Sequence, residues 1–192
     1  MESADRQFHL SLAPIRGVTD AAFRSNYTRV FGGFDDALAP FVTAESGRMP
    51  REKDLDDAFP TGDQPLPTIP QILGADPRLF LTVAKSLQDR GAKLVNWNIG
   101  CPHPMVTKRG AGSGILPFPD RIDAFLQEVL ADIKIQLSVK LRLGMLDRGE
   151  SDAVLRVLNR YPLAEVILHP RTGKQMYTEL TARYLSSLEK IG

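Results

Sequence analysis

The chain holds one cysteine, Cys101, and one tryptophan, Trp97, and both fall in the stretch Leu94-Val95-Asn96-Trp97-Asn98-Ile99-Gly100-Cys101-Pro102. Leu94 to Trp97 reads as a short buried strand, preceded by a helix that stops at Arg90-Gly91. Asn98, Gly100 and Pro102 then break the strand, which puts Cys101 on a turn at its carboxyl end. In barrels of alternating strands and helices, reactive groups stand at that end. A thiol there has two readings. It is a small buried hydrophobe, the usual fate of a free cysteine. Alternatively, with His103, Lys108 and Arg109 just downstream, it is a thiol in a loop near cations, where it can titrate and react.

Other polar residues recur at strand ends. Lys140 and Arg142 alternate with Val139, Leu141 and Leu143, so both cations point to one side of a strand. They face either a shared space or solvent. His169 closes a later strand ahead of Pro170-Arg171-Thr172, as a structural histidine or a site residue. Arg171 is either a surface arginine or an anion contact. Gln71 ends a third strand, and its amide can both donate and accept, toward a ligand or toward backbone. Lys108-Arg109-Gly110-Ala111-Gly112-Ser113-Gly114 lacks the spacing of a phosphate-binding P-loop. It reads as a mobile loop beside Cys101.

The elements that must position these groups alternate along the chain. Strands are expected at His9 to Ala13, Asp36 to Val42, Thr68 to Leu73, Leu94 to Trp97, Gln136 to Leu141 and Glu165 to Leu168. Thr19 is the expected N-cap of a helix from Asp20 to about Phe31. Asp76-Pro77 and Pro119-Asp120 open two more helices. The second carries the stripe Ile122, Phe125, Leu126, Val129, Leu130 and Ile133, which reads as packing against a sheet. Further helices are expected near Ser151 to Asn159 and from Thr181 to Ile191. Gly47 to Pro67 reads as a long loop with one short helix near Glu52 to Ala58, and such a loop is usually functional or mobile. The acid pairs Asp35-Asp36 and Asp56-Asp57 lack metal-ligand spacing and read as solvated caps. The result is a parallel α/β architecture of six strand–helix units.

At 192 residues, with 43% hydrophobic and 24% charged residues, the chain has ordinary globular composition and suits one domain. A single cysteine excludes an intrachain disulfide framework, and no metal-binding pattern is present, so no metal is expected. No apolar run is long enough to span a membrane, and the amino terminus has no signal-peptide core, which together point to the cytoplasm. A net charge of +1 neither supports nor excludes a nucleic-acid partner, because phosphate contacts are local.

Asn98-Ile99-Gly100-Cys101-Pro102 resembles the N-x-G-C-P signature of the tRNA-dihydrouridine synthases, FMN-dependent enzymes built on a TIM barrel. Four further stretches resemble that family in the same order: Ala13-Pro14-Ile15-Arg16-Gly17-Val18-Thr19-Asp20, Pro70-Gln71-Ile72-Leu73-Gly74, Val139-Lys140-Leu141-Arg142-Leu143-Gly144 and His169-Pro170-Arg171-Thr172. The resemblance implies a parallel (β/α) TIM barrel over residues 1–192. A full barrel of eight units takes roughly 250 residues, so about six of eight units are expected here. The last units and the family's helical tRNA-binding domain are expected to be absent.

The resemblance also implies an activity and a set of roles. The activity is reduction of the C5–C6 double bond of a uridine in tRNA, with FMN as cofactor and NADPH as reductant. Cys101 would protonate C5 as general acid while reduced FMN supplies hydride to C6. Pro14, Ile15 and Arg16 would pass under the flavin, where the family usually has methionine in place of Ile15. Gln71, Lys140 and His169 would also contact FMN. Asn98, Arg142 and Arg171 would meet the uracil or the tRNA. Two alternatives are another FMN barrel reducing a free pyrimidine or enone, and a non-catalytic fragment that binds RNA or a partner.

Overall fold

The computed structural model describes residues 8–175 apart from 48, 61 and 63. Its strands are β1 (Ser11–Leu12), β2 (Asp36–Leu38), β3 (Val42–Thr43), β4 (Thr68–Ile69), β5 (Gln71–Leu73), β6 (Leu94–Ile99), β7 (Gln136–Gly144) and β8 (Val166–Thr172). Its helices are α1 (Ala21–Val30), α2 (Glu52–Ala58), α3 (Pro77–Asp89), α4 (Pro104–Thr107), α5 (Pro119–Asp132) and α6 (Glu150–Leu158). Every strand pairing is parallel. One sheet runs β1-β2-β4 and the other β3-β5-β6-β7-β8.

The six expected strands are present, but two of them are split. Asp36 to Val42 is not one strand. β2 and β3 are parted at Ala39-Pro40-Phe41, and β4 and β5 are parted at Pro70. Proline has no N–H to give a ladder, so each run is interrupted there. Between the Leu38–Ile69 pairing and the Val42–Ile72 pairing, the first run spends one residue more than the second. The ladder resumes through Ala44 N–H, which donates to the Leu73 carbonyl at 2.8 Å. The sheet is therefore one rolled series of six strands, open between β1 and β8 among the described residues. This is the parallel α/β architecture of a barrel that does not close.

The ends of other elements also moved. β6 continues through Asn98 to Ile99, because Asn98 pairs in register with Lys140 and Ile99 with Leu141. β7 reaches Gly144, and β8 runs past His169 to Thr172 with a register shift between His169 and Thr172. The N-cap of α1 is Asp20, whose Oδ1 accepts from Phe23 N–H at 2.8 Å, whereas Thr19 Oγ1 accepts from Ile15 N–H. The acid pairs are ties rather than solvated caps. Asp36 accepts from His9 and Ser11, Asp56 pairs with Arg90, and Asp57 accepts from Ala21 N–H at the start of α1. The helix expected at Thr181 to Ile191 lies outside the described residues.

Strand periodicity divides the second sheet into two faces. Val95, Trp97 and Ile99 of β6 and Leu137, Val139 and Leu141 of β7 join one core with Phe80, Val83 and Leu87 of α3 and Ile122, Phe125 and Leu126 of α5. The Trp97 ring stacks on Phe125 with centroids 3.8 Å apart, and Phe80 meets Phe125 edge-on at 5.3 Å. The opposite face carries Gln71, Asn96, Asn98, Ser138, Lys140 and Arg142. The helices thus cover the apolar face, and the polar face lines the inside of the roll.

Candidate active site

Cys101 leaves the end of β6 with its main chain held on both sides. Asn98 Oδ1 accepts from Gly100 N–H at 3.1 Å and from Cys101 N–H at 2.9 Å. The Cys101 carbonyl accepts from Ser113 N–H at 2.9 Å and from Ser113 Oγ at 3.1 Å. Ser113 is fully buried and belongs to the 3-10 turn Gly112–Ile115, all four of whose residues are buried. The stretch Lys108 to Gly114, expected to be a mobile loop, leaves the end of α4 through a hydrogen-bonded turn and enters this packed 3-10 turn. Gly112 makes that packing possible. Its φ is +55°, and a Cβ there would lie 2.5 Å from the Cys101 carbonyl oxygen, a place only glycine fills.

Asn98 is part of a buried amide chain. Its Nδ2 donates to Gln71 Oε1 at 2.7 Å, Gln71 Nε2 donates to Asn96 Oδ1 at 2.7 Å, and Asn96 Nδ2 donates to Ser138 Oγ at 2.9 Å. The network joins β5, β6 and β7 across the inner face, where buried amides must find partners. Gln71 thus bonds to side chains rather than to backbone, and Asn98 holds the cysteine turn. After these bonds the Gln71 amide retains one N–H and one lone pair, from the ordinary capacity of the group.

Beside this network stands a group of cations. Lys140 is directly across from Asn98 in register, and Arg142 is across from His169. Burial lowers the pKa of Lys140, and the Arg142 charge lowers it further. His169 is pushed down to about 4, first by burial and then by the positive charges of Arg142, Lys140 and Arg171. Arg142 is buried and donates through Nη1 to the Thr172 carbonyl at 2.7 Å. These residues of β7 and β8, forming two adjacent strand ends, therefore share one electrostatic environment. His169 is neutral at pH 7 within it.

That depressed histidine has a measurable consequence. Unfolded, His169 titrates near its ordinary value of about 6.5, so the unfolded chain takes up the proton first as pH falls. The stability this group confers is complete above about pH 6.5 and is lost between there and about 4. The full shift corresponds to about 3 kcal/mol, which partial exposure to water reduces to about 1–2 kcal/mol. Urea unfolding at pH 7 and pH 4.5 is expected to show that loss in the native chain and its absence in His169→Gln. Equal pH dependence in both proteins would refute the assignment.

A cavity of about 1200 Å³ opens at the carboxyl ends of β3, β5 and β6. Of the residues expected at the site, Arg16 and Cys101 line it. The Arg16 guanidinium lies over the Phe41 ring, 4.8 Å from its centroid. Pro14 and Ile15 stand in the turn before α1, where the Ile15 carbonyl accepts from Val18 and Thr19 N–H. Gln71, Asn98, Lys140, Arg142, His169 and Arg171 do not line the cavity. They stand on the strands at its side. The structure thus forms two groups, the thiol with Arg16 at the cavity, and the cations with the amide network on the inner face. Asn98 links them, bonding Cys101 N–H on one side and Gln71 on the other.

Sequence reading missed three contributors. Ser113 and its carbonyl contact could not be found from spacing. Asn96 left a signal, a second inward-phase amide two residues before Asn98 in an otherwise apolar strand. Glu45 also lines the cavity, where its Oε1 pairs with Arg109 Nη1 at 2.5 Å. Its place just after a strand's carboxyl end is the position at which barrel loops carry function.

Among the described residues no group of three or more His, Cys, Asp or Glu side chains is arranged to hold a metal ion. No helix there is long and apolar enough to cross a membrane. The dihydrouridine synthase family model matches residues 11–189. The tRNA-dihydrouridine synthase B of Shewanella oneidensis is 28% identical over 169 residues, covering 88% of this chain and 52% of that protein. The protein of the same name from Xanthomonas campestris is 30% identical over 174 residues, covering 90% of this chain and 51% of its own length. The chain therefore spans about half the length of the curated relatives it matches. With the family model matched over nearly all of its residues and its one cysteine at the end of β6, the chain belongs to the dihydrouridine synthase family.

Proposed function

We propose that this chain carries the cysteine-bearing strand–helix units of a tRNA-dihydrouridine synthase, an oxidoreductase that reduces the C5–C6 double bond of a uridine in tRNA. The observation that carries the reading is Cys101, its main chain held by Asn98 and Ser113, on the wall of a cavity beside a cationic strand pair. FMN is the proposed cofactor and NADPH the proposed reductant, with the cytoplasm, where tRNA is found, as the place of action. When bound, the flavin supplies the hydride that no side chain can supply.

The residues present suit that cofactor. The positive charges gathered on β7 and β8 raise one another's cost of ionisation, which an anionic group relieves. Lys140 and His169 are the proposed holders of the flavin, with the remaining donor and acceptor of Gln71 matching a uracil-like ring edge. Pro14, Ile15 and Arg16 are proposed to flank it at the β1 side. Arg142 and Arg171 are proposed to meet the nucleotide. Cys101 is the proposed general acid, holding the proton at Sγ for C5 of the uracil. Asn98 orients that turn and is proposed to reach the base as well. Bringing a base to Cys101 requires the uridine to leave its stack.

The test is the visible absorption of the purified chain after adding FMN and removing the excess. A retained flavin band is expected, followed by dihydrouridine formation when tRNA and NADPH are supplied. A chain that holds flavin but reduces a free pyrimidine or enone and not tRNA would overturn the substrate. A colourless chain would overturn the proposal that these strands bind FMN.

A further inference from the structure

Residues 103–111 form the outer arm of the cysteine turn and one wall of the cavity. Their backbone bonds are local, as in Val106 and Thr107 N–H to the His103 carbonyl and Gly110 N–H to the Thr107 carbonyl. Among the described residues, the only side-chain hydrogen bond leaving the arm is Arg109 to Glu45, between positions 64 apart in sequence. Glu45 is well anchored on its side. The preceding Ala44 donates its N–H to the Leu73 carbonyl, and Gly74 approaches so closely that a Cβ would lie 3.0 Å from the Ala44 Cβ. Glu45, Arg109 and Cys101 all line the same cavity.

We propose that Glu45 is a positioning residue: through Arg109 it ties the outer arm of the cysteine turn to the end of β3 and limits access to Sγ from the cavity. The catalytic meaning of this tie rests on the proposed role of Cys101, but the tie itself does not. The main chain of Cys101 is fixed by Asn98 and Ser113, and Val106 and Thr107 of the arm pack on Gly112 and Gly114, so losing the tie loosens the outer end of the arm around Arg109 without displacing Cys101. Both partners are substantially exposed to water, so the pair is weak and screened by salt. The tie is accordingly adjustable rather than permanent.

Because Cys101 is the only cysteine, alkylation by the uncharged reagent N-ethylmaleimide reads its accessibility alone, with neither flavin nor tRNA present. E45Q and R109Q are each expected to react about two- to fivefold faster than the native chain, the range an exposed ion pair can supply. The double variant E45Q/R109Q should be no faster than either single one, and the exchanged pair E45R/R109E should return toward the native rate. Raising the salt concentration should speed the native chain and leave E45Q unchanged. Equal or slower rates in both single variants, additive effects in the double one, or a native rate indifferent to salt would each overturn the tie. Failure of flavin binding would leave these rates untouched, so the two proposals fail separately.

Discussion

Replacing Cys101, the proposed general acid, with alanine is expected to lower the proposed dihydrouridine formation in tRNA by roughly 10²–10⁴-fold, the usual contribution of such a group, while the proposed flavin binding persists. The separation of effects follows from what Cys101 does in the fold. Its N–H goes to Asn98 Oδ1 and its carbonyl receives both donors of Ser113, and alanine keeps all of these. Only Sγ is lost, from a half-buried place on the cavity wall. The cations of β7 and β8, proposed to hold the flavin, do not line the cavity and are undisturbed. Single-turnover reduction of tRNA by the reduced, flavin-loaded variant is the measurement. Full rate there would remove Cys101 from the proton-transfer step.

The second large effect lies in the strand that carries the cysteine. Trp97→Ala is expected to cost about 3–5 kcal/mol of folding stability, a large share of the roughly 5–15 kcal/mol typical of a domain. Trp97 is fully buried, stacks on Phe125 at 3.8 Å and lies edge-on to Phe80 at 6.5 Å. Its Nε1–H donates to the Gly74 carbonyl at 2.9 Å. Gly74 lines the cavity and packs on Ala44 beside Glu45, so the loss also leaves a buried carbonyl without its donor. Trp97→Phe keeps one stacked ring but loses that donor and the volume of the second ring, and an intermediate loss of about 2–3 kcal/mol is expected. Urea unfolding of the three proteins measures both terms. A loss below about 1 kcal/mol for Trp97→Ala would show that the α3–α5 layer closes over the gap unaided.

The order of residues dictated the alternation of strands and helices, the succession of six strands, and the place of Cys101 at the end of one of them. It did so because those properties are periodic and local: apolar stripes such as Ile122, Phe125, Leu126 and Val129, and caps such as Asp76-Pro77, are written within one turn or one strand. Lys140 and Arg142 were legible as a same-facing pair for the same reason. Strand ends were less legible, since Asn98 and Pro170 look like breakers until a neighbouring strand pairs around them.

What touches Cys101 emerges only in the folded chain. That Gly112 must be glycine follows from a carbonyl eleven residues earlier. That Ser113 holds that carbonyl, and that Glu45 meets Arg109, depends on loops of different strands arriving at one place. The neutral state of His169 likewise needs the burial and the three neighbouring cations that folding brings to it. Spacing along a chain records direction and periodicity, while hydrogen bonds and charge between distant residues depend on the path the chain takes through space.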